Sequence, residues 1–219
     1  MKWIEVKERF IIDSEKNGVN DGIASDNKRV SLLFNRSQNK LLTLQLQNRK
    51  SDDVRYIQNF LVLDKSIPTT SKFQDKINFI LPENYFDLAD ARARAKKQNC
   101  TDLIYLFELR TENLSEVLQD EFNKPSFEWR EAPYTVNSNS FSIYTNNEFT
   151  ITELLLNYYR YPNQMTLLQE DNAESDFDET LKMEWDDKSL DDIISLMVFN
   201  NDINENNPRY QLQTMKIQK

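Results

Sequence analysis

Apolar side chains recur along this chain with two periods, and the change-over falls near residue 67. Trp3, Val6 and Phe10 stand three and four residues apart, which puts them on one face of a helix. Residues 17–26 break the pattern with Gly18, Gly22 and several Asn and Asp, and predict a loop. From about Asn27 the helical period resumes in Val30, Leu33, Phe34, Leu41 and Leu44. Val54, Ile57 and Leu61 repeat it in a further predicted helix, with Asp52 and Asp53 suited to its N-terminal turn. Pro68 closes the helical region, because proline fixes φ and donates no backbone hydrogen bond.

Strand patterns then take over. Ile77-Asn78-Phe79-Ile80-Leu81, stopped by Pro82, and the run from Leu103 to Leu109 are short and apolar. Phe127-Glu128-Trp129-Arg130 and Phe141-Ser142-Ile143-Tyr144 predict two more strands. A long one runs from Phe149 to Tyr161, with Leu154, Leu156 and Tyr158 on one face. Leu181, Met183 and Trp185 alternate in a last short strand. Two short helices are predicted between strands. One covers Ala89 to Ala95; the other starts near Asn113, where Asn113 and Glu116 resemble a capping box ahead of Leu114, Val117 and Leu118. Near the end, Leu190, Ile193, Ile194, Met197 and Val198 form a sharp helical stripe, with Ser189 and Asp192 placed to cap it. Beyond Asn200 the chain turns polar and ends in a tail without a core pattern.

These elements predict an α+β protein with N-terminal helices over 1–66, a central antiparallel β-rich module with inserted short helices over 67–185, and a C-terminal amphipathic helix and tail over 186–219. The three regions are expected to form one assembly unit. At 219 residues the chain is long enough for a real core. Its 39% hydrophobic and 29% charged residues read as globular.

Charge and composition narrow the function. The formal net charge is −9, so the protein as a whole should repel nucleic acid and anionic membranes. No apolar run approaches the ~20 residues that cross a bilayer, and the charged first nine residues do not suit a signal peptide. There is no histidine, which removes His-centred triads, His-ligated zinc and imidazole bases. Only two glycines occur, both before residue 23, so no later glycine-rich phosphate loop is available. The single Cys100 excludes an internal disulfide, and its usual partner base is missing. The chain is therefore expected not to be an enzyme, and to carry no cofactor, metal or catalytic residue.

Three segments still offer chemistry. The acidic stretch from Glu170 to Asp192 reads either as a calcium site or as a solvated loop leading into a helix N-terminus. EF-hand spacing fails there for want of a glycine. Carboxylate pairs with nearby Trp129, Tyr158, Tyr159 and Trp185 could serve glycoside hydrolysis, but no pair stands out. Tyr158-Tyr159-Arg160-Tyr161 interleaves aromatics with an arginine, as in single-strand stacking surfaces or in subunit contacts; the negative charge favours the contact.

Taken in order, several segments resemble a known family. They are Arg29 to Gln38, Asp53 to Leu61, Leu81-Pro82-Glu83-Asn84-Tyr85-Phe86, Tyr158 to Pro162, and Glu184-Trp185-Asp186-Asp187 leading into Asp191 to Ile194. Their order resembles that of the virion ring proteins of crAss-like tailed bacteriophages. The likeness runs from about residue 29 to 200; the first 28 residues and the Glu170 to Glu179 loop match less well. It implies a structural subunit of the virion neck or tail, made in the host cytoplasm and forming a homo-oligomeric, dodecameric ring below the portal. Such a ring connects head and tail, contacts the portal and neighbouring ring or tail proteins, and passes DNA without gripping it.

On that basis Tyr158, Tyr159, Arg160, Tyr161, Ile193 and Met197 are expected at or just beneath subunit contacts, and Asp176, Asp178 and Glu179 at the lumen. The alternative is a β-rich virion accessory module that recognises a host glycan or receptor.

Overall fold

A computed structural model describes residues 2–16, 26–47, 57–73, 75–120, 122, 124–169, 175–180 and 182–201. The predicted loop over 17–26 lies outside them except for Asp26, as does the tail after Asn201. The fold is α+β, with four helices and one eight-stranded curled sheet among the described residues. It divides into two compact units that differ from the three consecutive regions expected. A helical unit comprises Met1–Asn59 with Pro162–Lys219, and a β unit, Phe60–Tyr161, is inserted between its halves.

In the helical unit, α1 (Trp3–Lys16) and α2 (Asn27–Gln47) both pack against α4 (Asp187–Asn201). Trp3, Val6 and Phe10 from α1, Val30, Phe34, Leu41 and Leu42 from α2, and Leu190, Ile193, Ile194 and Met197 from α4 are all buried. Trp3 meets Phe34 edge to face at 5.4 Å. Helix α4 is capped by Asp186, whose carboxylate accepts the Ser189 N–H at 2.7 Å, so the Ser189/Asp192 cap expected from the sequence gives way to a residue three positions earlier.

A polar stripe of α2 adjoins its apolar one, and it replaces a sheet for the returning chain. Asn27, Ser31, Asn35 and Gln38 lie one above the other at helical spacing. The Asn27 side-chain amide donates to the Ser175 carbonyl at 3.0 Å, and that of Asn35 donates to the Met165 carbonyl at 2.9 Å. The Asn35 side-chain oxygen accepts the Met165 N–H at 2.8 Å, while Gln38 donates to the Asn163 carbonyl and accepts the indole N–H of Trp185 at 3.0 Å. Extended backbone is thereby satisfied without strand partners. Met183 and Trp185 belong to this irregular segment and not to a strand; Leu181 lies outside the described residues.

The β unit runs β1 (Leu61–Ile67), β2 (Thr69–Lys72), β3 (Lys76–Ile80), β4 (Tyr85–Lys97), β5 (Cys100–Glu108), α3 (Leu114–Gln119), β6 (Glu131–Asn137), β7 (Ser140–Tyr144) and β8 (Thr150–Arg160). The strand order is β1-β8-β4-β5-β6-β7-β3-β2. Its two terminal strands are consecutive in sequence, separated only by Pro68. The sheet must therefore curl until its ends meet, as a barrel does. Proline suits that corner because it has no N–H to leave unpaired where the strand changes partner. All pairings are antiparallel except β5 with β6, which are parallel because residues 109–130 cross over between them. The module is thus mixed, where a purely antiparallel one was expected.

Three other expectations are corrected. Residues 89–95 belong to strand β4, not to a helix. Ala91, Ala93 and Ala95 alternate inward while Arg92, Arg94 and Lys96 alternate outward, and this period of two overrides the helical preference of alanine. Leu61, placed by its spacing in a helix, begins β1, and the described residues just before it, 57–60, form a short 3₁₀ turn; Val54 lies outside the described residues. Residues 127–130 form a turn. Helix α3 does start after Asn113, but no side chain caps it, and Leu114, Val117 and Leu118 are only half-buried.

The barrel interior holds Ile67, Ile77, Phe79, Ile104, Phe141, Ile143, Ile151, Leu154 and Leu156, with the β4 alanines between them. A register shift opposite Arg94 and Ala95 lets Ile151 and Leu154, three residues apart, both face inward. With no glycine in this unit, positive φ falls on Asp64, Gln98, Arg130, Ser138, Asn146 and Asn147. Asparagine and aspartate tolerate that region; Gln98, Arg130 and Ser138 hold it at a local cost.

Candidate functional site

One end of the barrel is open. There the ends of β2 and β4 and the β7–β8 turn surround a cavity of about 340 Å³. Lys72, Lys96 and Lys97 rim it, Phe73 and Phe149 provide apolar surface, and Glu148 is the one carboxylate in its lining. Phe149 is buried and lies 6.1 Å from the Phe127 ring. Phe73 is 56% exposed, with the Lys76 ammonium 5.7 Å from its ring centre.

Lys97 is held in a fork, 2.7 Å from Glu128 and 3.0 Å from Glu148. The two charged hydrogen bonds push its pKa up and hold the Glu128 carboxyl down at about 2. An amine locked as a cation can neither attack a carbonyl nor accept a proton. Lys72 and Lys96 are exposed and have no ion-pair partner among the described residues. The cavity is therefore built to meet negative charge.

Near the opposite end of β4 lie a half-buried phenol, Tyr85, and two buried ones, Tyr134 and Tyr158. Burial raises Tyr85 and Tyr134 to about 12, helped by the carboxylates of Asp87 and Glu108. Tyr158 donates to the Asn84 side-chain oxygen at 2.9 Å and packs 5.7 Å from the Tyr85 ring.

The contact residues expected from the sequence divide by depth. Tyr158 and Tyr159 are buried within the β unit, and Ile193 and Met197 within the helical unit, so all four lie beneath the surface. Arg160 sits 5.7 Å over the Phe60 ring. Only Tyr161 shows substantial ring surface, 39% exposed, and it meets Phe86 edge to face at 4.8 Å. Asp176 and Glu179 are exposed. Asp178 is half-buried and accepts the Thr180 N–H at 2.9 Å; the Thr180 side chain first, and this N–H second, lower its pKa.

A more exposed aromatic surface joins Trp129, named from the sequence, to Tyr105, which sequence reading missed. Tyr105, on the outward side of β5, is 62% exposed, and its N–H donates to the Arg130 carbonyl at 2.8 Å. Beside it Trp129 is 81% exposed, and Arg130 pairs with Asp102 at 2.9 Å. The period-two rule could have found Tyr105, since it points away from buried Ile104. Trp185, by contrast, is buried and hydrogen-bonded. Cys100 is exposed. Among the described residues no three or more Cys, Asp or Glu converge as metal ligands, and no helix is long and apolar enough to cross a membrane.

No protein-family model matches the chain, and no curated protein sequence matches it.

Proposed function

We propose that this chain is a structural subunit that assembles with copies of itself into a ring in the neck or tail of a tailed-phage virion. The observation that carries the assembly part is the exposed group of Tyr105 on β5 and Trp129 and Arg130 in the turn bonded to it. Tyr, Trp and Arg are the residue types that dominate protein–protein hot spots. The ordered motifs from residue 29 to 200 support the phage neck assignment, and with it the dodecameric stoichiometry, the portal as a neighbour and a channel that passes DNA.

Gold-conjugated antibody against this chain, viewed on phage particles by electron microscopy, tests the proposal. Label confined to the neck or upper tail supports it, and no label on intact or opened particles withdraws it. A second reading, a module that binds a host glycan, draws on Trp129, whose ring is open for stacking on a sugar. Label at fibre tips would favour that reading.

A further inference from the structure

The cavity gathers three lysines in a chain whose formal net charge is −9. Lys72, Lys96 and Lys97 face it against the single carboxylate of Glu148. Lys97 is already committed to Glu128 and Glu148, which leaves the exposed ammonium groups of Lys72 and Lys96 to meet a partner. Phe73 adds an exposed apolar face between charges. The complementary surface therefore carries at least two carboxylates and one aliphatic side chain.

The same chain presents such a surface. Leu167 and Phe177 pair in an isolated antiparallel bridge, and the Leu168 N–H donates to the Asp176 carbonyl at 2.9 Å. This small arm leaves Leu168 65% exposed, with Asp176 and Glu179 also exposed. Leu167 and Phe177 are buried and anchor it, and Asp178 is taken up by Thr180. The arm thus holds its carboxylates on a fixed frame, which limits the entropy lost on docking.

We infer that the cavity receives the acidic arm of a second copy of this chain, with Asp176 and Glu179 of one subunit against Lys72 and Lys96 of the next and Leu168 against Phe73. The inference rests on the ring reading and supplies its lateral contact. Cavity and arm are different patches, so the contact is head-to-tail, the kind that closes into a ring. It gives Asp176 and Glu179 a place in the wall between subunits in preference to the lumen.

Zero-length carbodiimide coupling of carboxylates to amines tests this directly. Equal amounts of ¹⁴N- and ¹⁵N-labelled full-length chain are mixed, coupled and digested, and the joined peptides are read by mass spectrometry. Isopeptide pairs linking Lys72 or Lys96 to Asp176 or Glu179 are expected, with mixed-label pairs as frequent as the two same-label kinds together. Their yield should fall at high salt, since exposed ion pairs are screened. Same-label pairs alone would mean that the arm docks within its own chain. Coupling of these carboxylates only to other lysines, or not at all, would likewise overturn the inference.

A charge-swap series separates this failure from failure of the ring itself. Lys72→Glu/Lys96→Glu chain and Asp176→Lys/Glu179→Lys chain should each lose self-association in sedimentation velocity, and their mixture should regain it, because each variant's cavity then meets an arm of opposite charge on the other and growth can continue in alternation. Self-association that survives both substitutions would leave the ring standing and remove the cavity from it.

Discussion

The size exchange between β4 and β8 lends itself to a double-mutant test. Ala93 and Leu154 are direct cross-strand partners, and both are fully buried. Ile104 faces Ala93 from the other side and is fully buried too. Leu154→Ala should cost about 2–5 kcal/mol, since it removes buried methyl groups and leaves a cavity. Ala93→Leu alone should cost about 1–3 kcal/mol by overpacking the same space. If the sites were independent, the double variant would lose about 3–8 kcal/mol. Because the pair shares one volume, the exchange should cost under about 2 kcal/mol, close to a volume-conserving swap. Urea unfolding followed by circular dichroism, with the slope checked for constancy across the four proteins, reads the cycle. A double variant whose loss equals the sum of the singles to within about 0.5 kcal/mol would refute the shared interior volume.

Gln38→Leu should destabilise the helical unit by about 1–3 kcal/mol, because the Trp185 indole N–H loses its acceptor in a buried site; a shift of Trp185 fluorescence toward an apolar environment in the folded state would accompany it. Tyr85 and Tyr134 are pushed up to about 12, so the folded state keeps protons that the unfolded chain loses above pH 10. Their contribution is complete below pH 10 and is lost as pH rises toward 12; a urea midpoint that is flat across this window would contradict it. Tyr159→Ala, a buried truncation, should lower the unfolding midpoint sharply, whereas Tyr161→Ala should change it little. Equal shifts in thermal denaturation would contradict that division.

Much of the helical unit was legible because its apolar stripes are sharp. Trp3, Val6 and Phe10, and the α4 stripe from Leu190 to Val198, are buried as their spacing predicts. Strands β3, β5, β7 and β8 were legible from short apolar runs and alternation. Strand β4 was not, because alternating alanine and charge is a strand pattern written in helix-forming residues. The Asn27, Ser31, Asn35 and Gln38 stripe on α2 was lost in a sequence crowded with asparagine and glutamine, although its spacing is helical. The cavity was out of reach altogether. Lys72 and Lys97 end β2 and β4 and Glu148 lies in the β7–β8 turn; these meet only once the sheet has curled, and no local pattern encodes that.

The chain enters the β unit at Phe60 and leaves it at Tyr161, and the two flanking strands pair directly, Leu61 beside Tyr159. During synthesis this has an ordering effect. The barrel has all its strands once residue 161 has left the ribosome, and it can close while the remainder is still being made. The first two helices emerge much earlier, yet their apolar faces wait for α4, the last described element. Apart from the contact between Trp3 and Phe34, the buried side chains of α1 and α2 therefore lack their α4 partners for most of translation. Helices α1 and α2 are made well before the partner that covers them, and the nascent protein is most prone to aggregate, or to engage a chaperone, through them.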